Sequence, residues 1–154
     1  MNKLSIFASM MMMMCLPMMA QKNGSKAQVK PDPNFQIYLC FGQSNMEGNA
    51  AIEDIDRIGV NPRFMAMYAV DDEKAGWKKG QWHTAVPPQA RPSTGLTPVD
   101  YFGRKMVDNL PDSIKVGTIT VAVGGASIDL FDKRTCKAYL KKQPDWMKNF
   151  ASQY

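Results

Sequence analysis

The distribution of apolar residues predicts strands alternating with helices from residue 35 onwards. Residues 35–41 are apolar on both faces, which is typical of a central strand covered on both sides. Two further strands are predicted, over residues 64–70 and over residues 115–123. Strands separated by helical segments, with Gly-rich turns at the strand ends, indicate an α/β fold around a parallel sheet.

The clearest helix is predicted between the second and third strands. Thr97 is a favourable N-cap, Pro98 suits the first helical position, and Asp100 follows the cap by three residues. The apolar residues expected on its buried face are Val99, Phe102, Met106 and Leu110. A last helical stretch starts near residue 133 and is broken around Pro144.

The N-terminal residues are expected to direct export and not to join the fold. Residues 1–20 contain Lys3, a short apolar Met-rich run and Ala20, a pattern typical of a signal peptide and too short for a membrane span. Residues 21–34 are polar and predict a flexible leader, so the domain covers residues 35–154. The chain is therefore expected to be secreted or periplasmic. A lipoprotein signal at Cys15 is less favoured, because no small residue precedes it.

Composition excludes several functional classes. The net charge of +5 is spread along the chain, and no basic stretch carries interleaved aromatic residues, so we expect no nucleic-acid partner. No Cys or His cluster has the spacing of a metal site. Export permits a disulfide between Cys40 and Cys136, although Cys40 lies within the first apolar strand, where a free buried thiol is favoured.

Candidate chemistry begins where the first strand ends. Residues 41–48 read Phe-Gly-Gln-Ser-Asn-Met-Glu-Gly, which places Ser44 just after a Gly turn at the strand end. A serine there can act as a nucleophile, and its amide, at the start of a helix, is a candidate oxyanion donor. On spacing alone a helix N-cap is the favoured role of Ser44.

Gly124 and Gly125 end the third predicted strand. In a parallel sheet they share an edge with Ser44, where their amides are candidate oxyanion donors. An ordinary turn or a phosphate-binding loop are the alternatives, although no phosphate-loop motif is present.

Residues 42–48 resemble the first block of the SGNH-type carbohydrate esterases, and most closely that of the acetylxylan esterase and sialate O-acetylesterase-like family. Residues 121–127 are similar to that family's second block, and residues 95–98 also fit. The resemblance implies a three-layer, flavodoxin-like fold with a central parallel sheet. It also implies hydrolysis of carbohydrate acetyl esters, with Ser44 as nucleophile and the Ser44, Gly124 and Gly125 amides around the oxyanion. No metal or organic cofactor is implied.

Two blocks of that family are missing from this sequence: Gln-Gly-Glu, and Asp-x-x-His with the general base. We therefore expect an N-terminal part of such a domain, truncated after the early strands and inactive alone. An unpaired sheet edge and an uncovered apolar face would follow. The single histidine, His83, does not match the missing motif and is expected to be structural.

The substrate is expected to be an acetylated carbohydrate, of the acetylxylan or sialate type. Gln43, Asn45, Trp77 and Trp82 are the candidate substrate contacts. Both tryptophans lie in residues 71–94, an aperiodic stretch that is either a functional loop or a surface loop held by its own aromatic residues. An alternative function is a secreted, non-catalytic carbohydrate-binding module that uses Trp77, Trp82 and Tyr68. A nucleotide-binding domain is disfavoured, because no basic phosphate ligand accompanies Gly124 and Gly125.

Overall fold

A four-stranded mixed sheet forms the centre of the fold. The computed structural model describes residues 30–154, so the predicted signal peptide and most of the leader lie outside the described residues. The strands are β1 (Phe35–Gly42), β2 (Phe64–Met67), β3 (Trp82–Thr84) and β4 (Lys115–Ala122), in the order β1-β4-β2-β3. Strands β1, β4 and β2 are parallel, whereas β3 is antiparallel to β2.

Five α-helices connect or follow these strands in the described residues: α1 (Ser44–Glu47), α2 (Asp54–Arg57), α3 (Pro98–Asn109), α4 (Cys136–Lys141) and α5 (Asp145–Ala151). The arrangement confirms the predicted α/β class. β2 is shorter than expected, and β3 forms inside the stretch that showed no periodicity. The final helical stretch is two helices, and Pro144 begins the second as its N-cap.

Helix α3 begins as predicted, and its buried face matches the prediction in part. The Thr97 hydroxyl accepts a hydrogen bond from the Val99 amide at 2.9 Å, and the Asp100 carboxylate accepts one from the Thr97 amide at 2.9 Å. Phe102, expected in the core, is 39% exposed. Val99 is buried as predicted, and Met106 and Leu110 pack partly buried against the core, but the other buried positions are Asp100, Gly103 and Val107.

Gly103 explains which side of α3 packs against the sheet. A Cβ atom there would lie 1.9 Å from the Phe64 ring, so only glycine lets the helix approach β2 this closely. Phe64 is fully buried and packs with Val107 and Val116 in the main core cluster. A glycine carries no hydrophobic signal, which is why periodicity alone missed Gly103 and assigned Phe102 to the buried face.

β1 was expected to be a central strand covered on both sides, and that expectation is wrong for the described residues. β1 is the sheet edge, paired only with β4. One face carries Tyr38, which packs edge-on against Phe102 of α3 with ring centroids 5.1 Å apart. The opposite face exposes Ile37, Leu39 and Phe41 by 53%, 63% and 46%. The uncovered apolar face expected from the missing blocks is therefore present.

This exposed stripe predicts binding of a dye that reports apolar surface. The fluorescence of anilinonaphthalene sulfonate should rise when the folded chain is added, because the dye binds contiguous exposed apolar side chains of the kind that β1 presents. The double variant Leu39→Thr/Phe41→Thr should bind much less dye, whereas Ile55→Thr, an equally exposed position on α2, should bind as the wild type does. Equal dye fluorescence for the double variant and the wild type would show that another surface binds the dye.

Cys40 and Cys136 are both free thiols and form no disulfide. Burial raises the pKa of the Cys40 thiol, which keeps it in its uncharged form. Within residues 30–154, no helix has both the length and the apolar character that a bilayer crossing requires.

Candidate active site

The strand register brings Ser44 and Gly124 together. Gly42 at the end of β1 pairs with Ala122 at the end of β4, and the Val123 amide donates to the Gly42 carbonyl at 3.2 Å. Ser44 and Gly124 each lie two residues beyond these strand ends. A Cβ atom on Gly124 would be 3.9 Å from the Ser44 Cβ. The carboxyl edge of the parallel strands therefore holds both candidate elements, as the sequence predicted.

Ser44 is the first residue of α1, and the N-cap is Gln43. The Gln43 Oε1 atom accepts hydrogen bonds from both the Ser44 amide (2.8 Å) and the Ser44 hydroxyl (2.6 Å). Ser44 is therefore not the cap, which removes the alternative reading of that residue. Its amide already has a partner, so an oxyanion reaches the Ser44 amide only when the Gln43 side chain rotates away. The candidate substrate contact Gln43 thus interacts with the serine itself.

The loop after β4 presents two amides without acceptors. Neither the Gly124 nor the Gly125 amide donates a hydrogen bond to any group in the described part of the chain. Gly125 has a φ of 72°, a conformation that favours glycine. At Gly124 a Cβ atom would lie 2.8 Å from the Glu47 carboxylate, so a side chain here would displace that buried carboxylate. These are properties of a loop that brings backbone donors close to a reacting group.

Below this loop lies an ion pair that the sequence analysis missed. Glu47 on α1 and Arg91 are both buried, with 8% and 7% exposure, and the Arg91 Nη2 atom donates to Glu47 Oε1. The Arg91 Nη1 atom donates to the Ala122 carbonyl at 2.8 Å, and the guanidinium lies 4.4 Å from the Phe150 ring centroid. One arginine therefore connects the serine helix, the end of β4 and α5.

Two glycines explain why backbone segments meet behind Ser44. The Gly95 amide donates to the Gly48 carbonyl at 2.9 Å, and the Leu96 amide donates to the Ala50 carbonyl at 2.8 Å. A Cβ atom on Gly48 would lie 2.5 Å from the Leu96 carbonyl oxygen, and one on Gly95 would lie 2.2 Å from the Ala50 carbonyl oxygen. Gly48 of the first block and Gly95 before α3 thus serve one close contact between main chains.

His83 does not reach the serine hydroxyl. Its Nδ1 atom lies 2.9 Å from the Thr84 carbonyl, and its ring stacks on Trp77 with centroids 3.6 Å apart. Burial lowers the pKa of His83, so the ring stays neutral at physiological pH. In residues 30–154 the Ser44 hydroxyl has Gln43 as its one side-chain partner. His83 accordingly has the structural surroundings that its sequence position suggested.

The aromatic residues considered for sugar binding do not share one surface. Trp82 packs edge-on against Phe35 with centroids 4.8 Å apart, whereas the next strand residue, His83, points to the other face and carries Trp77. Tyr68 is fully buried. The structure therefore separates Trp77 from Trp82 and leaves Tyr68 inaccessible to a ligand.

A groove beside Ser44 is the nearest space for a ligand. It has a volume of about 480 Å³ and includes the candidate residue Asn45, which is exposed. No cluster of three or more metal-ligating side chains occurs among the residues described by the structure.

Comparison with known proteins identifies the family of this chain. The family model described as carbohydrate esterase, sialic acid-specific acetylesterase, matches residues 34–148. A protein of Arabidopsis thaliana, solved by X-ray crystallography at 1.6 Å, has 19% identity and a TM-score of 0.49, with 71% of this chain and 50% of that chain covered. This chain thus spans half the length of that protein. The extent of the family match shows that the chain belongs to the carbohydrate esterase family of sialic acid-specific acetylesterases.

Proposed function

We propose that this chain contributes the nucleophile and part of the oxyanion site of an esterase that removes acetyl groups from carbohydrate. The observation that carries the proposal is the position of Ser44 beside Gly124 at the carboxyl edge of β1 and β4, in front of a loop whose Gly124 and Gly125 amides have no acceptor among the described residues. Membership of a carbohydrate esterase family supports the reaction class and an acetylated carbohydrate as substrate.

In the proposed reaction the Ser44 oxygen attacks the acetyl carbonyl carbon, and the carbonyl oxygen becomes an oxyanion. The Gly124 and Gly125 amides donate to that oxygen, and the Ser44 amide joins them once the Gln43 side chain moves. Collapse of the tetrahedral intermediate breaks the ester bond, so the sugar hydroxyl leaves with a proton and Ser44 carries the acetyl group. Attack by water then releases acetate and restores the serine.

The proton of the Ser44 hydroxyl has no basic acceptor in the described residues. The Gln43 amide oxygen accepts that hydrogen bond, but an amide is not a base that removes the proton. We therefore propose that residues 30–154 bind and position the ester and need a base from elsewhere for turnover. Removal of a catalytic triad member leaves only the residual rate that oxyanion stabilisation and binding supply.

Hydrolysis of p-nitrophenyl acetate tests this proposal. The 154-residue chain should hydrolyse the ester no faster than Ser44→Ala, because neither protein supplies a base to the reaction. The matched control is Ser152→Ala, which removes an exposed hydroxyl on the C-terminal side of α5. Rapid hydrolysis by the wild type that is abolished in Ser44→Ala would reveal a base within the chain and contradict this part of the proposal.

We also propose that the protein is exported. Support comes from the basic, apolar and small-residue pattern of residues 1–20. N-terminal sequencing of the chain recovered from the secreted fraction of an expressing cell should begin at Gln21. Recovery only of the uncleaved chain inside the cell would contradict export.

A further inference from the structure

The groove beside Ser44 has an uncharged lining. It runs between α1 and the start of α3, and its volume of about 480 Å³ lies within the usual range for small-molecule sites. Nine residues line it, among them Ser44, Asn45, Asn49 and Tyr101. None of them is a lysine, an arginine or an acidic residue.

Tyr101 gives this groove a fixed aromatic wall. Its ring is 52% exposed, yet its hydroxyl donates to the Asp56 carboxylate at 2.7 Å. The Arg104 guanidinium lies 5.6 Å from the ring centroid and donates to the main-chain carbonyls of Asp56 and Ile58. The ring is therefore held in place by both contacts while much of its surface stays accessible.

Polar groups for a ligand lie on the α1 side of the groove. The Asn49 side-chain nitrogen donates to the Ser44 carbonyl at 3.1 Å, which fixes the amide and leaves its oxygen without a partner in the described residues. Asn45 is exposed one residue after the serine, and its side chain makes no hydrogen bond within residues 30–154. An aromatic wall facing neutral amide groups suits a sugar ring, which offers an apolar face and hydroxyl groups.

We propose that this groove binds an uncharged pyranose ring that carries the scissile acetyl ester, stacked on Tyr101 and hydrogen-bonded by Asn45 and Asn49. The inference rests on the proposed function, since Ser44 is one of the residues that line the groove. An acidic sugar such as a sialoside is disfavoured, because a carboxylate here would lose water without gaining a cation. Arg104 is already engaged by two carbonyls, and Arg91 is buried with Glu47.

Ligand-observed NMR titration of the 154-residue chain tests the proposal with two probes, an O-acetylated xylo-oligosaccharide and an O-acetylated sialoside. The neutral ligand should bind about tenfold more tightly than the sialoside. Tyr101→Ala should weaken binding of the neutral ligand about tenfold, whereas Tyr101→Phe should stay within about twofold because the ring remains. Trp146→Ala removes an equally exposed aromatic ring on α5 and should leave binding unchanged.

A second variant keeps the test decisive if Tyr101→Ala does not fold. Ala50→Trp places a large side chain in the groove from an exposed position and should abolish binding of the neutral ligand without altering Tyr101. Tighter binding of the sialoside, or neutral-ligand binding that both substitutions leave intact, would overturn the proposal. So would absence of binding by the wild type. Sugar binding does not require the Ser44 reaction. If the sugar does not bind while Ser44 is still acetylated, only the groove proposal is refuted. If the sugar binds while Ser44 is not acetylated, only the esterase proposal is refuted.

Discussion

Replacing Arg91 with methionine is expected to lower the free energy of unfolding by about 3–5 kcal/mol, because Glu47 then stays buried as an uncompensated charge. The substitution also removes the hydrogen bond to the Ala122 carbonyl and the contact with the Phe150 ring. The loss of ordered structure should be greatest at the candidate active site, because Arg91 contacts both the helix that carries Ser44 and the strand that leads into Gly124.

Urea-induced unfolding followed by circular dichroism measures this effect. The double variant Glu47→Gln/Arg91→Met should recover part of the lost stability, because it no longer buries an unpaired charge. Arg134→Ala is the matched control: its ion pair with Asp132 has an arginine side chain that is 87% exposed, and such surface pairs contribute about 0–1 kcal/mol. Similar midpoints for Arg91→Met and Arg134→Ala would show that the buried pair does not stabilise this site.

Gly48→Ala is expected to cost about 3 kcal/mol or more, because two penalties coincide. The φ of Gly48 is 89°, which disfavours any side chain, and a Cβ atom would lie 2.5 Å from the Leu96 carbonyl oxygen. That oxygen belongs to the backbone and cannot move without separating the segment after α1 from the start of α3. Residues on both sides of the proposed sugar groove would shift as a result.

Gly59→Ala isolates the conformational part of this penalty. Gly59 has a φ of 63°, but nothing lies within 4 Å of a Cβ atom at that position. It should therefore lose only about 1–2 kcal/mol, the usual cost of a left-handed conformation for a residue with a side chain. Thermal unfolding of both variants compares the two positions. Equal losses would mean that the close approach of the two main chains does not constrain Gly48.

Local sequence patterns predicted the parts of the fold that local physics determines. The capping box of α3 was predictable because Thr97 and Asp100 lie three residues apart and satisfy free amides at the helix start. The shared edge of Ser44 and Gly124 followed from parallel strands that both end in glycine-rich turns. Neither prediction needed knowledge of distant contacts.

What the sequence did not predict depends on residues far apart in the chain. Arg91 and Glu47 are 44 positions apart, and nothing in their spacing indicates that a loop arginine lies beneath the serine helix. The buried face of α3 depends on the fit of the Phe64 ring against Gly103, and β3 exists because β2 offers it an edge. Tertiary packing decides such features, and short periodic windows do not contain that information.

The central claim is that Ser44 accepts the acetyl group, and peptide mass spectrometry of the chain incubated with p-nitrophenyl acetate and imidazole tests it most directly. Imidazole supplies the base that the described residues lack, so the wild-type peptide containing Ser44 should gain one acetyl group on the Ser44 oxygen. Its acetylation should exceed that of the peptide containing the control residue Ser152, an exposed serine at the end of α5. Acetylation of Ser44 at no more than the level of Ser152 would contradict the account.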